Sequence, residues 1–256
     1  MQDCRKIRTE KSVELEFYQF TSPGDRETNQ DYMTYIIDDA YALFVVADGL
    51  GGHQAGEKAS WFFCQGLRDV APTYSKWMAH NPVKTFSAWI DDAVDEMRRL
   101  FADDRLAIKA HTTCAALYID EQFVVTAHCG DSRIYRMNPQ QILWRTRDHS
   151  IPQQLLNEGL ITEQDIALHP EQNKVTRSIN VRKKHEPEIN LHPALEKGET
   201  FIICSDGFWA YVKQRDLLQL SQLSSAKTDL DKLARLLVLR AQGKSDNITV
   251  QWIRCH

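Results

Sequence analysis

The sequence predicts an α/β domain in which two sheets pack together and carry helices on their outer faces. Three observations lead there. Short apolar runs mark residues 42–47 (ALFVVA), 123–129 (FVVTAHC) and 201–205 (FIICS), the first with the look of a strand buried on both faces, and 248–253 (ITVQWI) reads as the last strand. Helical segments sit in the middle of the chain and near its end, so strict β–α–β alternation fits poorly. No internal repeat, low-complexity tract or linker interrupts the 256 residues, 43% of them hydrophobic, so one domain spanning 1–256 is expected.

In chain order, residues 13–20 (VELEFYQF) alternate as a strand with one buried face. Residues 21–31 (TSPGDRETNQD) read as a polar loop and 32–37 as the next strand. The run 42–47 ends at Asp48, followed by Gly49 and the pair Gly51-Gly52. Residues 56–70 have helical composition. Residues 83–102 place Phe86, Trp89, Ile90, Ala93, Val94, Met97, Leu100 and Phe101 at spacings of three and four, an amphipathic helix against a core. Residues 112–119 and 123–128 read as strands about a turn at Asp120-Glu121, with 132–137 returning after Gly130-Asp131 as a hairpin partner. Two short helical pieces, 152–158 and 163–168, lie within the polar connections of 150–185, which read as a surface flap. Residues 226–241 form a closing helix, with Leu230, Leu233, Leu236, Leu237 and Arg240 in helical order and Gly243 as its stop.

Asp-Gly alone is ordinary turn chemistry. Here, however, Asp48, Asp131, Asp206 and Asp246 each stand at the end of an apolar strand. Four such carboxylates can converge on one edge of a packed sheet structure, which favours a metal site. Oxygen-only ligands, with no His–His or Cys–Cys spacing nearby, select Mg²⁺ or Mn²⁺ over zinc. Asp48 can bridge two ions, with the Gly49 carbonyl completing one coordination sphere; such a pair holds and acidifies a water for in-line attack on phosphorus. A phosphate also needs a cation that grips two of its oxygens, and Arg26 in the polar loop is the candidate. His53 and His149 lie beside these motifs and are expected to fill ordinary hydrogen-bonding roles.

The bulk properties exclude other classes. A net charge of −4 recommends no nucleic-acid partner. No apolar stretch approaches the roughly 18 residues of a membrane span, and the charged N-terminus lacks the apolar centre of a signal peptide. Cys64, Cys114, Cys129 and Cys204 lie within apolar segments, as reduced core cysteines do, so a cytoplasmic location is expected. A thiolate phosphatase needs an arginine at the sixth position after its cysteine; the sixth position after Cys129 is Tyr135.

Five ordered motifs, ADGLGGHQAGEKAS, HCGDSRIYR, RTRDHS, CSDGFWA and KSDNITV, together resemble the bacterial branch of the metal-dependent type 2C (PPM) protein Ser/Thr phosphatases. The resemblance runs from about Arg26 to Ile253. It implies a four-layer α/β/β/α sandwich with a binuclear Mn²⁺/Mg²⁺ site at one end of the sheets. By motif, Asp48 resembles the carboxylate that bridges both metals and Gly49 the residue that lends its carbonyl. Asp206 and Asp246 resemble the other ligands of the first metal. Asp131, with Asp206, resembles the pair that holds a weaker third metal in many bacterial members. Arg26 takes the place of the phosphate-gripping arginine, and Asp31 that of an acidic residue ordering metal-bound waters. Residues 150–180 resemble the flap bordering the substrate cleft. The resemblance further implies a phosphorylated Ser/Thr protein as substrate, a cognate Ser/Thr kinase as partner, and a monomer.

The chain departs from the pattern at Leu50, where some relatives carry a general-acid histidine, so a metal-bound water is the expected proton donor in place of His53. Gln30 stands where many members have Glu, and His111 and Asn180 replace usual glycines. Phe208-Trp209 after the Ser-Asp-Gly resembles phosphatases paired with a kinase in type VI secretion regulation. Two alternatives stay open: a small-molecule phosphohydrolase on the same scaffold, and a non-catalytic pseudophosphatase, although all four strand-end aspartates are present.

Overall fold

The computed structural model describes residues 5–8, 14–51, 53–102, 104–222 and 227–256. Among them the chain runs β1 (Arg5–Arg8), β2 (Glu14–Ser22), β3 (Asp31–Ile37), β4 (Ala42–Leu50), α1 (His53–Tyr74), α2 (Pro82–Leu100), β5 (His111–Thr112), β6 (Cys114–Ile119), β7 (Phe123–Cys129), β8 (Arg133–Met137) and β9 (Ile142–Arg145). It continues α3 (Ile151–Asn157), α4 (Glu163–Ile166), β10 (Ile179–Asn180), β11 (Glu188–Pro193), β12 (Thr200–Cys204), α5 (Asp206–Trp209), α6 (Gln214–Gln222), α7 (Lys227–Ala241) and β13 (Ile248–Cys255). One antiparallel sheet has the order β1-β2-β13-β12-β8-β9. The other has β10-β5-β4-β6-β7-β11, with β3 also paired to β4.

Three apolar layers result, one between the sheets and one under each set of helices. Strand β4 shows why its sequence is apolar throughout. Leu43, Val45 and Ala47 pack under α1 and α2, while Ala42, Phe44 and Val46 pack against the opposite sheet. Strand β12 divides likewise, with Phe201 and Ile203 between the sheets and Ile202 and Cys204 under the later helices. With no solvent face, neither strand has reason to alternate. Helix α2 starts where Asn81 Oδ1 accepts the Lys84 N–H at 3.1 Å and Pro82 takes the first turn. Its Trp89 is fully buried and donates Nε1–H to Leu67 O at 2.8 Å.

Several expectations need correction. Residues 132–137 are not a hairpin partner of β7: β8 pairs with β12 and β9, so the chain passes from one sheet to the other at Gly130-Asp131. Asp48 is not a strand tip, because β4 runs on to Leu50. Residues 112–119 are two strands, broken at Thr113. Leu100 and Leu236, placed on buried helix faces by spacing, are exposed. Strands β9 and β11 and helix α6 carry no sequence signal strong enough to stand out; β11 mixes half-buried and exposed residues without a clean period on a sheet edge. Gly52, and residues 13 and 226 at the ends of two expected elements, lie outside the described residues.

Because Phe44 is fully buried between the sheets beside Phe17 and Tyr35, Phe44→Ala is expected to destabilise the protein by about 3–5 kcal/mol. Urea denaturation measures it, and a loss below about 1 kcal/mol would mean that the layer repacks.

Candidate metal centre

Strand pairing brings the first two acids together: β3 and β4 set Asp31 directly opposite Asp48. On the other edge of β4, β5 and β6 hold one common register and break at Thr113, the residue facing Asp48. The break has a local cause. Thr113 N–H still donates to Asp48 O at 2.8 Å, but the Asp48 N–H is taken by the Thr113 hydroxyl at 2.9 Å. That hydroxyl lies 2.6 Å from Ser132 Oγ, on the crossover that carries Asp131. One threonine therefore couples the positions of Asp48 and Asp131.

Asp206 opens α5, and Ser205 before it donates its hydroxyl to Asp31 Oδ2 at 2.7 Å. Asp246 precedes β13 in a loop fastened to residues 23–30. Asn247 Nδ2 donates to Pro23 O and Thr28 O at 3.0 and 2.8 Å, and Asn247 Oδ1 accepts Gln30 N–H at 2.8 Å. Ser245 N–H donates to Asp25 Oδ2 at 2.8 Å. These bonds hold Arg26 over the site, where its Nη2 lies 2.8 Å from Asp246 Oδ2 while the side chain stays 56% exposed. Gly49 permits the close approach of α1: a Cβ there would lie 2.1 Å from Gly56 O.

The five carboxylates sense one another. Burial first, and then the charges of Asp31, Asp206, Asp131 and Asp246, push the Asp48 carboxyl well above its usual range. Burial raises Asp31 from 3.8 to about 8 against the pull of Ser205 and Thr249, with Asp206 and Asp246 adding to the rise. Asp206 is raised to about 7 by burial and Asp246, and Asp131 upward by burial and Asp206. Asp31 Oδ1 is buried with no hydrogen-bond partner. An orphaned carboxylate oxygen among mutually repelling carboxylates is what a hard divalent cation relieves, so these residues fit Mg²⁺ or Mn²⁺.

The expected residues Asp31, Asp48, Gly49, Asp131, Asp206, Asp246 and Arg26 thus meet at one edge of the sandwich. Four further groups are not singled out as site residues by the sequence: Ser132 and Ser205, which lie inside the motifs above, and Thr113 and Gln172, which carry no signal in it. The last donates Nε2–H to Asp206 Oδ2 at 3.2 Å from the 150–180 segment. The side chain of His53 lies outside the described residues. Among the described residues, the one compact group of three ligand-type side chains, with all three atoms within 4.8 Å of one another, is His128, His149 and Glu188. His149 Nδ1 accepts the Gly130 N–H at 3.3 Å, which leaves the ring proton on Nε2, and the Arg177 guanidinium stands 3.5 Å from that nitrogen. A cation already stands at that position. With His149 N–H on Gly130 O and Thr176 N–H on His149 O, the group anchors the 150–180 segment. The aspartates are spread wider than this trio, as a site shared between ions and waters would be.

Two antiparallel sheets with outer helices, closed at one edge by buried carboxylates, define a class of proteins that hold hard divalent cations for hydrolysis. Residues 24–238 match the family model described as Protein phosphatase 2C. The serine/threonine phosphatase stp of Listeria innocua is 29% identical over 218 residues, covering 83% of this chain and 84% of that protein. The Streptococcus agalactiae serine/threonine phosphatase superposes with a TM-score of 0.78 at 27% identity, over 94% of this chain and all of that one. PppA, a regulatory component of the type VI secretion system in Pseudomonas aeruginosa, superposes at 0.73 with 25% identity over 94% and 98% of the two chains. The catalytic domain of PstP with two manganese ions shares the fold, with a TM-score of 0.77 at 22% identity over 95% and 98% of the two chains. The chain belongs to the protein phosphatase 2C family. It is a serine/threonine protein phosphatase of that type.

A carboxyl whose pKa is raised in the fold binds its proton more tightly there than in the unfolded chain. Its burial costs nothing below the ordinary value near 3.8, and the cost grows as pH rises toward about 8. The metal-free protein is therefore expected to lose melting temperature between pH 5 and 8. A fixed Mn²⁺ concentration about 100 times its Kd at pH 8 adds about 2.7 kcal/mol there, or about 5–11 °C for a chain of this size, and less at pH 5, where protons compete for the carboxylates. Differential scanning fluorimetry measures both trends; a metal-free melting temperature that rises across this window would contradict the electrostatics.

Proposed function

We propose that the chain hydrolyses phosphoserine and phosphothreonine in proteins at a binuclear Mn²⁺ or Mg²⁺ centre, reversing the action of a partner Ser/Thr kinase. The observation that carries this reading is the half-buried Asp48 carboxylate, facing Asp31 across a strand pair and surrounded by Asp131, Asp206 and Asp246, with the exposed Arg26 held against Asp246. Ions bound there supply an activated water and charge neutralisation for phosphoryl transfer.

The chain's own residues do the rest. Asp48 is central to the cluster and is assigned to both ions, with the Gly49 carbonyl beside it. Asp206 and Asp246 are assigned to the first ion and Asp131 to a weaker third site. Asp31 has one oxygen held by Ser205 and the other free to order water. Arg26, tethered by one nitrogen to Asp246, has further N–H groups free to grip a phosphate. Leu50 offers no proton to the leaving alkoxide, so that proton comes from water in the open cleft. The 150–180 segment acts as the flap, reaching the centre through Gln172. The chain is proposed to work as a single-domain monomer in the cytoplasm, a reading supported by five free buried cysteines. No described helix is long and apolar enough to cross a membrane. The likeness to PppA, together with Phe208-Trp209, favours regulation of type VI secretion.

Chelation is expected to abolish hydrolysis of a phosphothreonine peptide and added Mn²⁺ to restore it, with nucleotide and sugar phosphates turned over poorly. Preferential turnover of the small phosphates would favour the small-molecule reading, and full activity in excess chelator would sink the mechanism. Asp48→Asn is expected to lose at least the ~100-fold that even an outer partner of a metal ligand can cost, in a protein that still folds. Arg26→Ala is expected to raise KM for the phosphopeptide by a factor equivalent to about 1.5–3 kcal/mol, with Mn²⁺ affinity nearly unchanged. An unaltered KM would return Arg26 to solvent.

A further inference from the structure

Next to the carboxylate cluster lies a cavity of about 720 Å³ whose charge is opposite in sign. Leu50 and His111 line it from the sheet, and Lys174, Arg177, Lys183 and Lys184 from the flap and the segment that follows it; Glu186 is the one acidic residue in its lining. Two stretches of chain run from the centre to the cavity wall. Leu50 is two residues beyond Asp48 on β4 and pairs in register with His111. Asn173, which also lines the cavity, follows Gln172, whose side chain donates to Asp206.

Four cations against one acid is a local feature in a chain of net charge −4. The three lysines are only loosely committed, while Arg177 also stands against His149 and Glu186 O. Lys184 pairs with Glu186 at 2.8 Å and Lys174 with Glu171 at 2.5 Å, but all four side chains are well exposed, and such pairs exchange readily with solvent or another anion. Lys183 makes no ion pair among the described residues, and it stands close enough to His111 to add to the lowering of its pKa that burial causes. The His111 ring is fixed on Ser178 Oγ at 2.9 Å, so it forms part of a settled wall.

We propose that this cavity is a subsite for the residues flanking the phosphoamino acid, and that it selects substrates with Asp, Glu or a second phosphate beside the scissile phosphate. The inference rests on the phosphatase reading above. Once the phosphorylated side chain enters the carboxylate centre past Arg26, the neighbouring peptide lies along Leu50 and the flap, where acidic side chains meet Lys183 and Lys184. A basic flank meets like charge there and is rejected, which gives selectivity without a shaped pocket. The same contact offsets the repulsion that an acidic substrate meets from a carboxylate-rich site.

The test compares phosphothreonine peptides of equal length with Glu, Ala or Lys flanks. Hydrolysis of p-nitrophenyl phosphate, which has no flanks, measures folded, metal-loaded enzyme in each preparation. Fluorescence anisotropy of a labelled unphosphorylated Glu-rich peptide reads the cavity without turnover. The acidic peptide is expected to exceed the basic one about tenfold in kcat/KM, through KM, as several weak exposed contacts together allow. The advantage should shrink as added salt screens it. In Lys183→Glu/Lys184→Glu, two exposed positions, the preference should vanish or invert and the labelled peptide should bind at least fivefold more weakly. Equal turnover of all three peptides, or binding of the Glu-rich peptide unaffected by the double substitution, overturns the subsite. Charge-selective, lysine-dependent binding with no hydrolysis of any phosphate would instead retain the subsite and refute the phosphatase reading.

Discussion

Everything at the working edge of this molecule depends on holding five carboxylates close together where most of them are out of water. Asp31, Asp131 and Asp206 are buried and Asp48 stands among them; the buried Arg133 eases Asp131 alone and is itself paired with Asp148. In the absence of ions the arrangement raises the free energy of the fold, and the surrounding hydrogen bonds hold it in place. Thr113 fixes the backbone of Asp48 and touches Ser132; Ser205 fixes Asp31; Asn247 binds the Asp246 loop to the Arg26 loop. Removing one of these polar groups leaves a buried partner unsatisfied, so each supports geometry more than it adds stability.

Deeper in the same wall a second charged unit carries structure without chemistry. Arg133 binds Asp148 through two nitrogens at 2.8 and 2.6 Å, fully buried, and its guanidinium lies 3.6 Å from the centroid of the Trp209 ring. Trp209 in turn donates Nε1–H to Asp131 O at 2.8 Å. The crossover strand, the start of the 150–180 segment and α5 are thereby joined behind Asp131. A buried pair of this kind is costly to break and of uncertain sign as net stabilisation; its effect here is to fix the relative positions of three segments.

How much was legible in the sequence follows the physics of each part. Strands buried on both faces announce themselves because few of their residues can be polar, and β4 and β12 were readable for that reason. The aspartates were readable because each interrupts such a run. The sheet change at Gly130-Asp131 was not, since a tight turn looks the same whether the next strand pairs with the last one or joins another sheet. Edge strands β9 and β11 have mixed exposure and no clean period. Thr113 and Gln172 act through hydrogen bonds made across long sequence separations, and nothing local marks them. The basic cavity was equally hidden: Lys174 and Lys183 look like solvated charges until the fold sets them around one space.

The central claim, that the carboxylates form one shared site for two ions, has a direct test. Crystals grown with Mn²⁺ and measured near the manganese absorption edge locate the ions by anomalous scattering. The account predicts two strong peaks on either side of Asp48, one also touching Asp206 and Asp246, with any third, weaker peak between Asp131 and Asp206. A single peak remote from Asp48, or peaks at His128, His149 and Glu188 alone, would contradict it.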